Sequence, residues 1–412
     1  MTRKVEVLDK IMGSGKSTAV LSWCESKPEQ SFLYVTPLLS ESEGRVVDAC
    51  KLSKFTAPTT ELHRTKGEHL LDLLQSGANA SITHEMYGNL KQEHLNWIKE
   101  NKYIVILDEE VSFIEPMTSY TVEDFKYLKS LNQISTEEDG KLVWLNDSVV
   151  CDNTKYTKLA NMCRLGMIYQ SKRSDNWFVT QLPIDLILCA ERVIVITYLF
   201  KGSVMDSFIK LKGIEVVDFT EVSVVEDNKH KIRNLIEFVG EKQVAEWSSE
   251  AFSSSWYKMT NANKLKDLSK AIRSVADSCK VKNGQMLWCT PSSVARPKRK
   301  SDKKVAPAGH SAGSGEVNDS GFAEGSFLPC SSRATNAYRD REVMVHCYNR
   351  FPHVTVSSFL QDYGATVDNN QFALSEFLQW LWRSRVRDGQ PIRVCVMSKR
   401  MRKLFQDWLK ED

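Results

Sequence analysis

The chain has 412 residues, room for two or three domains, with 42% apolar and 26% charged residues, a balance that excludes a disordered or fibrous chain. Its 55 basic and 52 acidic residues leave a net charge of +3, too small to argue for nucleic acid without local clusters. Ten cysteines, at 24, 50, 151, 163, 189, 279, 289, 330, 347 and 395, form no CxxC pair, which argues against a zinc site, and their scatter suggests a reducing, intracellular setting. No run of about 18 apolar residues is present, so no membrane span or membrane partner is expected.

Taken in order, short β-branched runs at VEVL (5–8), FLYV (32–35), IVIL (104–107) and VIVI (193–196) read as strands buried on both faces. Amphipathic segments such as 67–77 and 90–100 lie between them, the alternation of an α/β fold with a mainly parallel sheet covered by helices. Residues 114–180 separate two of these strands and read only as mixed structure. A linker is expected around 205–230. Beyond it NLIEFVG (234–240), QMLWCTP (285–291), VTVSSF (354–359) and IRVCVMS (392–398) read as strands, and 264–279 and 374–386 as helices. Residues 292–326, rich in Ser, Gly, Ala and Lys, read as a long mobile loop. The expected division is 1–215 and 230–412.

The stretch KIMGSGKST (10–18) follows the first strand and opens a helix. Gly13, Ser14, Gly15, Lys16, Ser17 and Thr18 then form a phosphate loop. Its backbone N–H groups face phosphate, Lys16 reaches the outer phosphates and the Ser17 hydroxyl ligands Mg²⁺. Lys10 stands where the longer form of the motif has glycine. About ninety residues on, YIVILDEEV (103–111) ends a buried strand in acids. Asp108 is the second candidate for Mg²⁺, and Glu109, with Glu110 as its competitor, the candidate base for the attacking water. The expected cofactors are ATP and Mg²⁺.

With these motifs in place, the chain resembles superfamily 2 helicases of the DEAD/DEAH-like kind, and more closely a group of phage-encoded helicase-like proteins. YVTPLLSESEGR (34–45), SITHEMY (81–87), LDEE (107–110), VITYLFKGS (195–203), SSRATNAYRDR (331–341) and QWLWRSRVRDGQPI (379–392) resemble its ordered motifs. The last two letters of the acidic box are not kept. The resemblance implies two RecA-like domains and an ATP-dependent helicase or translocase. It implies that Gln379 and Arg383 approach ATP, with Arg387, or Arg385 beside it, as the second arginine. Val386 stands where the family has that arginine. It also implies that Thr36, Thr83, His84, Thr197, Arg333, Thr335 and Asn336 meet the nucleic-acid backbone. For any single threonine among them, capping a turn or helix is the plainer reading.

The expected partner is single-stranded or forked DNA, with RNA as the alternative and replication or recombination proteins beside it, in a bacterial host cytoplasm. Six cations between Arg296 and Lys304 could ride on phosphates or merely be solvated. The segment 397–410 reads as a basic helix docked on the second domain with Lys399, Arg400 and Arg402 outward. Two other readings stay open: a terminase-like packaging ATPase, and a nucleotide-dependent DNA-binding or origin-binding switch that never unwinds.

Overall fold

The computed structural model describes residues 3–61, 63–145, 155–225, 229–280, 285–291, 294, 326–330 and 337–411. Two compact units make up the chain: residues 1–225 with 352–368, and residues 226–351 with 369–412. Among the described residues no helix is long and apolar enough to cross a membrane.

The first unit is built on a six-stranded parallel sheet. Its strands are β1 (Lys4–Asp9), β2 (Phe32–Thr36), β3 (Ala80–Thr83), β4 (Ile104–Asp108), β10 (Arg192–Thr197) and β11 (Glu215–Asp218), in the spatial order β11-β1-β10-β4-β2-β3. The apolar runs are continuous because each strand feeds two cores. Alternation sends Val5, Val7, Leu33, Val35, Val105, Leu107, Val193 and Val195 to one face, and Leu8, Phe32, Tyr34, Ile104, Ile106, Ile194 and Ile196 to the other. Helices Lys66–Gln75, Gln92–Glu100 and Val204–Leu211 cover the first face, through Leu70 and Leu74, Leu95 and Ile98, and Phe208 and Ile209. Helix Lys16–Glu25 covers the second with Val20, Leu21, Trp23 and Cys24.

Between β4 and β10 the chain inserts a small body of its own. Strands β5 (Ile114–Pro116), β9 (Phe178–Gln181) and β8 (Ile168–Gln170) form an antiparallel sheet, and β6 (Ile134–Thr136) pairs with β7 (Leu142–Trp144). Phe125 stacks on Phe178 at 3.8 Å between ring centres within a separate core that includes Leu128, Leu142 and Leu159.

Three expectations are corrected here. VTVSSF is not a strand but the start of helix Val354–Asp362, which packs in the first unit. The His353 ring caps it by accepting from the Thr355 N–H, and Val356, Phe359 and Leu360, at helical spacing, enter the core. β-branched content pointed to a strand, and the spacing that decides otherwise continues past the quoted window. The supposed linker is structured through residue 218: Ser203 accepts from the Asp206 N–H to start helix Val204–Leu211, and β11 completes the sheet edge. The helix expected over 374–386 runs Asn369–Leu381, followed by a 3₁₀ turn at Arg385–Asp388 that Ser384 caps.

The second unit carries a four-stranded parallel sheet, β12 (Ile236–Phe238), β13 (Met286–Cys289), β14 (Val343–His346) and β15 (Ile392–Val396), in the order β12-β15-β14-β13. Helix Ala262–Ser278 packs on one face through Leu268, Ile272 and Val275. In helix Lys399–Lys410, Phe405 meets the Phe377 ring. Arg402 does not point outward: it is 7% exposed, lies over the Phe238 ring and pairs with Glu241. Its guanidinium thus has an aromatic face on one side and a carboxylate at the rim as partner. The basic cluster Arg296–Lys304 lies outside the described residues.

Candidate nucleotide site

The site forms where β1, β10 and β4 end. Register pairs Asp9 with Thr197 and Ile196 with Asp108, so the loops leaving these strands share one edge of the sheet. In parallel sheets that edge is where ligands bind. Asp9 fixes the turn after β10 by accepting from the N–H groups of Leu199 and Phe200, at 2.7 and 2.9 Å.

The phosphate loop has the required backbone. Gly13 and Gly15 hold φ of 81° and 85°, a region costly for any residue with a Cβ. Gly15 then caps helix Lys16–Glu25 with no side-chain hydrogen bond, so the N–H groups of its first turn are not taken by a capping side chain. The Ser14 Oγ is buried with no hydrogen-bond partner, a polar atom left for an oxygen-rich ligand. Lys16 folds its Nζ onto the carbonyls of Lys10 and Ile11, within reach of the same loop. Thr18 is exposed on the first turn. These residues fit a nucleotide triphosphate.

Asp108, 7% exposed at the end of β4, gathers donors from four elements. Its carboxylate accepts from Ser17 Oγ at 3.0 and 3.2 Å, Tyr34 OH at 3.0 Å and Arg45 Nη2 at 2.7 Å. Its backbone carbonyl bonds His84 Nε2 at 2.9 Å. Burial, and then the Asp108 charge, push the Tyr34 hydroxyl well above its usual pKa, so it stays a donor. Burial works against the Arg45 charge, and Asp108, Tyr34 and Glu41 together more than offset it, so the guanidinium is held above its ordinary pKa. Ser17 beside Asp108 suits a divalent ion held by one carboxylate, one hydroxyl and ligand phosphates. Among the described residues no group of three or more His, Cys, Asp or Glu could hold a metal unaided.

Glu109 follows with φ of 67°, unusual for a side-chain residue, fixed by its N–H to the Ile196 carbonyl at 2.9 Å. It and Glu110 are half-buried at the strand end. Two residues of this constellation escaped the sequence reading: Tyr34 and Arg45. Tyr34 was hidden in an apolar strand, where its one polar atom was the signal. Arg45 closes the quoted stretch YVTPLLSESEGR, but nothing in linear spacing ties it to position 108.

The candidate nucleic-acid contacts are placed unevenly. Thr36 is fully buried, with its hydroxyl on the Leu38 carbonyl at 2.9 Å, so in this conformation it offers no surface. Thr197 is 4% exposed. Thr83 caps helix His84–Gly88 by accepting from the Met86 N–H. Of this set in the first unit, Thr83 and His84 keep partly exposed surface. Arg333, Thr335 and Asn336 lie outside the described residues.

In the second unit Gln379 is half-buried on helix Asn369–Leu381 and Arg383 is 7% exposed just after it. Arg385 is committed locally: it pairs with Glu342 at 2.7 Å, which also holds Arg393, and donates to the Pro391 carbonyl. Arg387, on the same 3₁₀ turn, is exposed.

The fold defines an α/β protein of two RecA-like domains, with a glycine-rich turn between β1 and helix Lys16–Glu25 in the first. Residues 230–409 match the family model described as YonV C-terminal Rossmann-like domain. The chain is similar to the SPbeta prophage-derived uncharacterized protein YonV of Bacillus subtilis (strain 168), 26% identical over 437 aligned residues that cover 98% of each protein. Among solved structures it is similar to XPD_APO, with a TM-score of 0.53, 14% identity and 98% and 95% of the two chains covered. It is likewise similar to XPD_Helicase, at 0.50, 12%, 98% and 94%. At these identities the structural likeness is one of fold.

Proposed function

We propose that this chain is an ATP hydrolase of helicase or translocase type, acting on DNA in phage replication or recombination. The observation that carries the reading is the contact between Ser17 and Asp108, 91 residues apart, beside a glycine loop of the right backbone. The prophage relative supports the phage setting, and the fold shared with XPD_Helicase supports a motor on nucleic acid.

In this reading Gly13, Ser14, Gly15 and Thr18 line the phosphates, and Lys16 leaves its loop carbonyls for the outer ones. Ser17 and Asp108 hold the metal. Mg²⁺–ATP, when bound, supplies the transferable phosphoryl group and the charge that neutralises its oxygens. Glu109 orients and deprotonates the attacking water from a backbone already fixed in place. Arg383 and Arg387 supply positive charge for the transition state, and Gln379 reads the nucleotide. Thr83 and His84 face the sugar-phosphate backbone of single-stranded or forked DNA, with RNA as the other polymer such contacts would accept.

Strand displacement tests this. A forked DNA duplex should be opened in the presence of ATP and Mg²⁺, and Lys16→Ala should abolish opening. Nucleotide hydrolysis with no displacement on any fork would overturn the motor and leave a nucleotide-dependent DNA-binding switch.

A further inference from the structure

Resting on the nucleotide reading above, we infer that Arg45 is a positioning residue that stands in for the divalent cation at Asp108 and yields that place when Mg²⁺–nucleotide binds. Asp108 Oδ2 accepts from three side chains, and the shortest of these bonds, 2.7 Å, comes from Arg45. A carboxylate this buried needs a counter-charge, and among these donors Arg45 alone carries one. A magnesium ion held by Ser17 and Asp108 needs the same oxygen. Both cations cannot hold it at full strength, so binding of one must weaken the other.

The residue is built to let go. Arg45 is 38% exposed at its side chain and has a second acid, Glu41, at 3.5 Å, four residues back on the same turn. Both sit on a π-helical segment, Glu41–Val46, a geometry that is rare and recurs at functional positions. The segment also has a route outward. Ser42 accepts from Ser81 of β3 at 3.0 Å, in a buried contact. β3 ends at Thr83, which caps the helix carrying His84, and His84 returns to the Asp108 carbonyl. Displacement of Arg45 therefore disturbs the strand that presents the two partly exposed candidates for nucleic-acid contact. Occupancy of the metal position and the state of that edge become one equilibrium.

The test is a Mg²⁺ titration of binding of a fluorescent ADP analogue to the full chain, read by anisotropy. Arg45→Gln removes the competing cation and should lower the Mg²⁺ concentration for half-maximal binding by about tenfold. Arg45→Lys, which keeps a charge but loses the planar fork, should fall between the two. If Arg45→Gln does not fold, Arg45→Lys decides: a midpoint below wild type supports the proposal, an equal or higher one overturns it. For Arg45→Gln itself, an unchanged or raised midpoint overturns it, since a rise would mean that Arg45 binds the phosphates. Lys16→Ala separates the two claims. If it binds the analogue like wild type, the nucleotide reading fails and this inference with it. If it loses binding while Arg45→Gln leaves the midpoint unmoved, only this inference fails.

Discussion

Replacing Tyr34 by Phe probes the Asp108 cluster with the least collateral change. The ring stays, fully buried and edge-on to Phe55 at 6.0 Å, and only the hydroxyl that donates to Asp108 at 3.0 Å is lost. A buried hydrogen bond to a charged group contributes about 1.5–3 kcal/mol. Asp108 keeps Ser17 and Arg45, so the loss should fall in the lower half of that range, near 2 kcal/mol. For a unit of about 240 residues, 1 kcal/mol moves the melting midpoint by about 2–4 °C, giving a drop of about 4–8 °C. Thermal unfolding without nucleotide, followed by circular dichroism, measures it. Asp108→Asn supplies the cycle: with the charge gone, the further loss from Tyr34→Phe should shrink to about 1 kcal/mol or less. An unchanged or raised midpoint in Tyr34→Phe would refute the claim that the Tyr34 hydroxyl stabilises the buried Asp108 cluster.

Other outcomes follow from the same structure. Phe359→Ala should cost about 3–5 kcal/mol, because the ring is 1% exposed in the first unit's core, while Val354→Ala, 54% exposed on the same helix, should stay within about 0.5 kcal/mol. Urea midpoints compare the two. Arg192 forks onto Glu6 with two 2.7 Å bonds and reaches Glu221 at 2.6 Å, at 28% side-chain exposure. Discounted for screening, Arg192→Ala should cost about 1 kcal/mol, and the difference from wild type should narrow in 1 M NaCl. The Glu25 carboxylate accepts from the N–H groups of Leu52, Ser53 and Lys51, which hold it below its ordinary value of 4.5. Its stabilisation is therefore complete above that pH and lost as pH falls through and below it. Glu25→Gln should flatten the acid limb of a stability–pH curve there and leave the neutral region with a constant offset.

Elements whose burial is uniform were legible in the sequence. The four strand runs of the first half are continuous apolar stretches because both faces of the sheet are covered, and no competing signal intrudes. The glycine turn that opens helix Lys16–Glu25 and the acidic end of β4 were legible because each is local. What escaped depends on distant partners. VTVSSF has strand-like composition, and only the apolar spacing of Val356, Phe359 and Leu360, the last just beyond that run, marks a helix facing the first unit's core. Arg402 looked like a solvated charge on a basic helix until Phe238 and Glu241 covered it. Tyr34 and Arg45 reach Asp108 from 74 and 63 residues away, a convergence that sequence spacing does not encode.

The most direct measurement of the central claim is ATP hydrolysis by wild type and Lys16→Ala, each alone and with single-stranded, duplex and forked DNA. The account predicts hydrolysis that requires Lys16 and rises steeply with single-stranded or forked DNA. Hydrolysis that requires Lys16 but does not respond to any nucleic acid would contradict it.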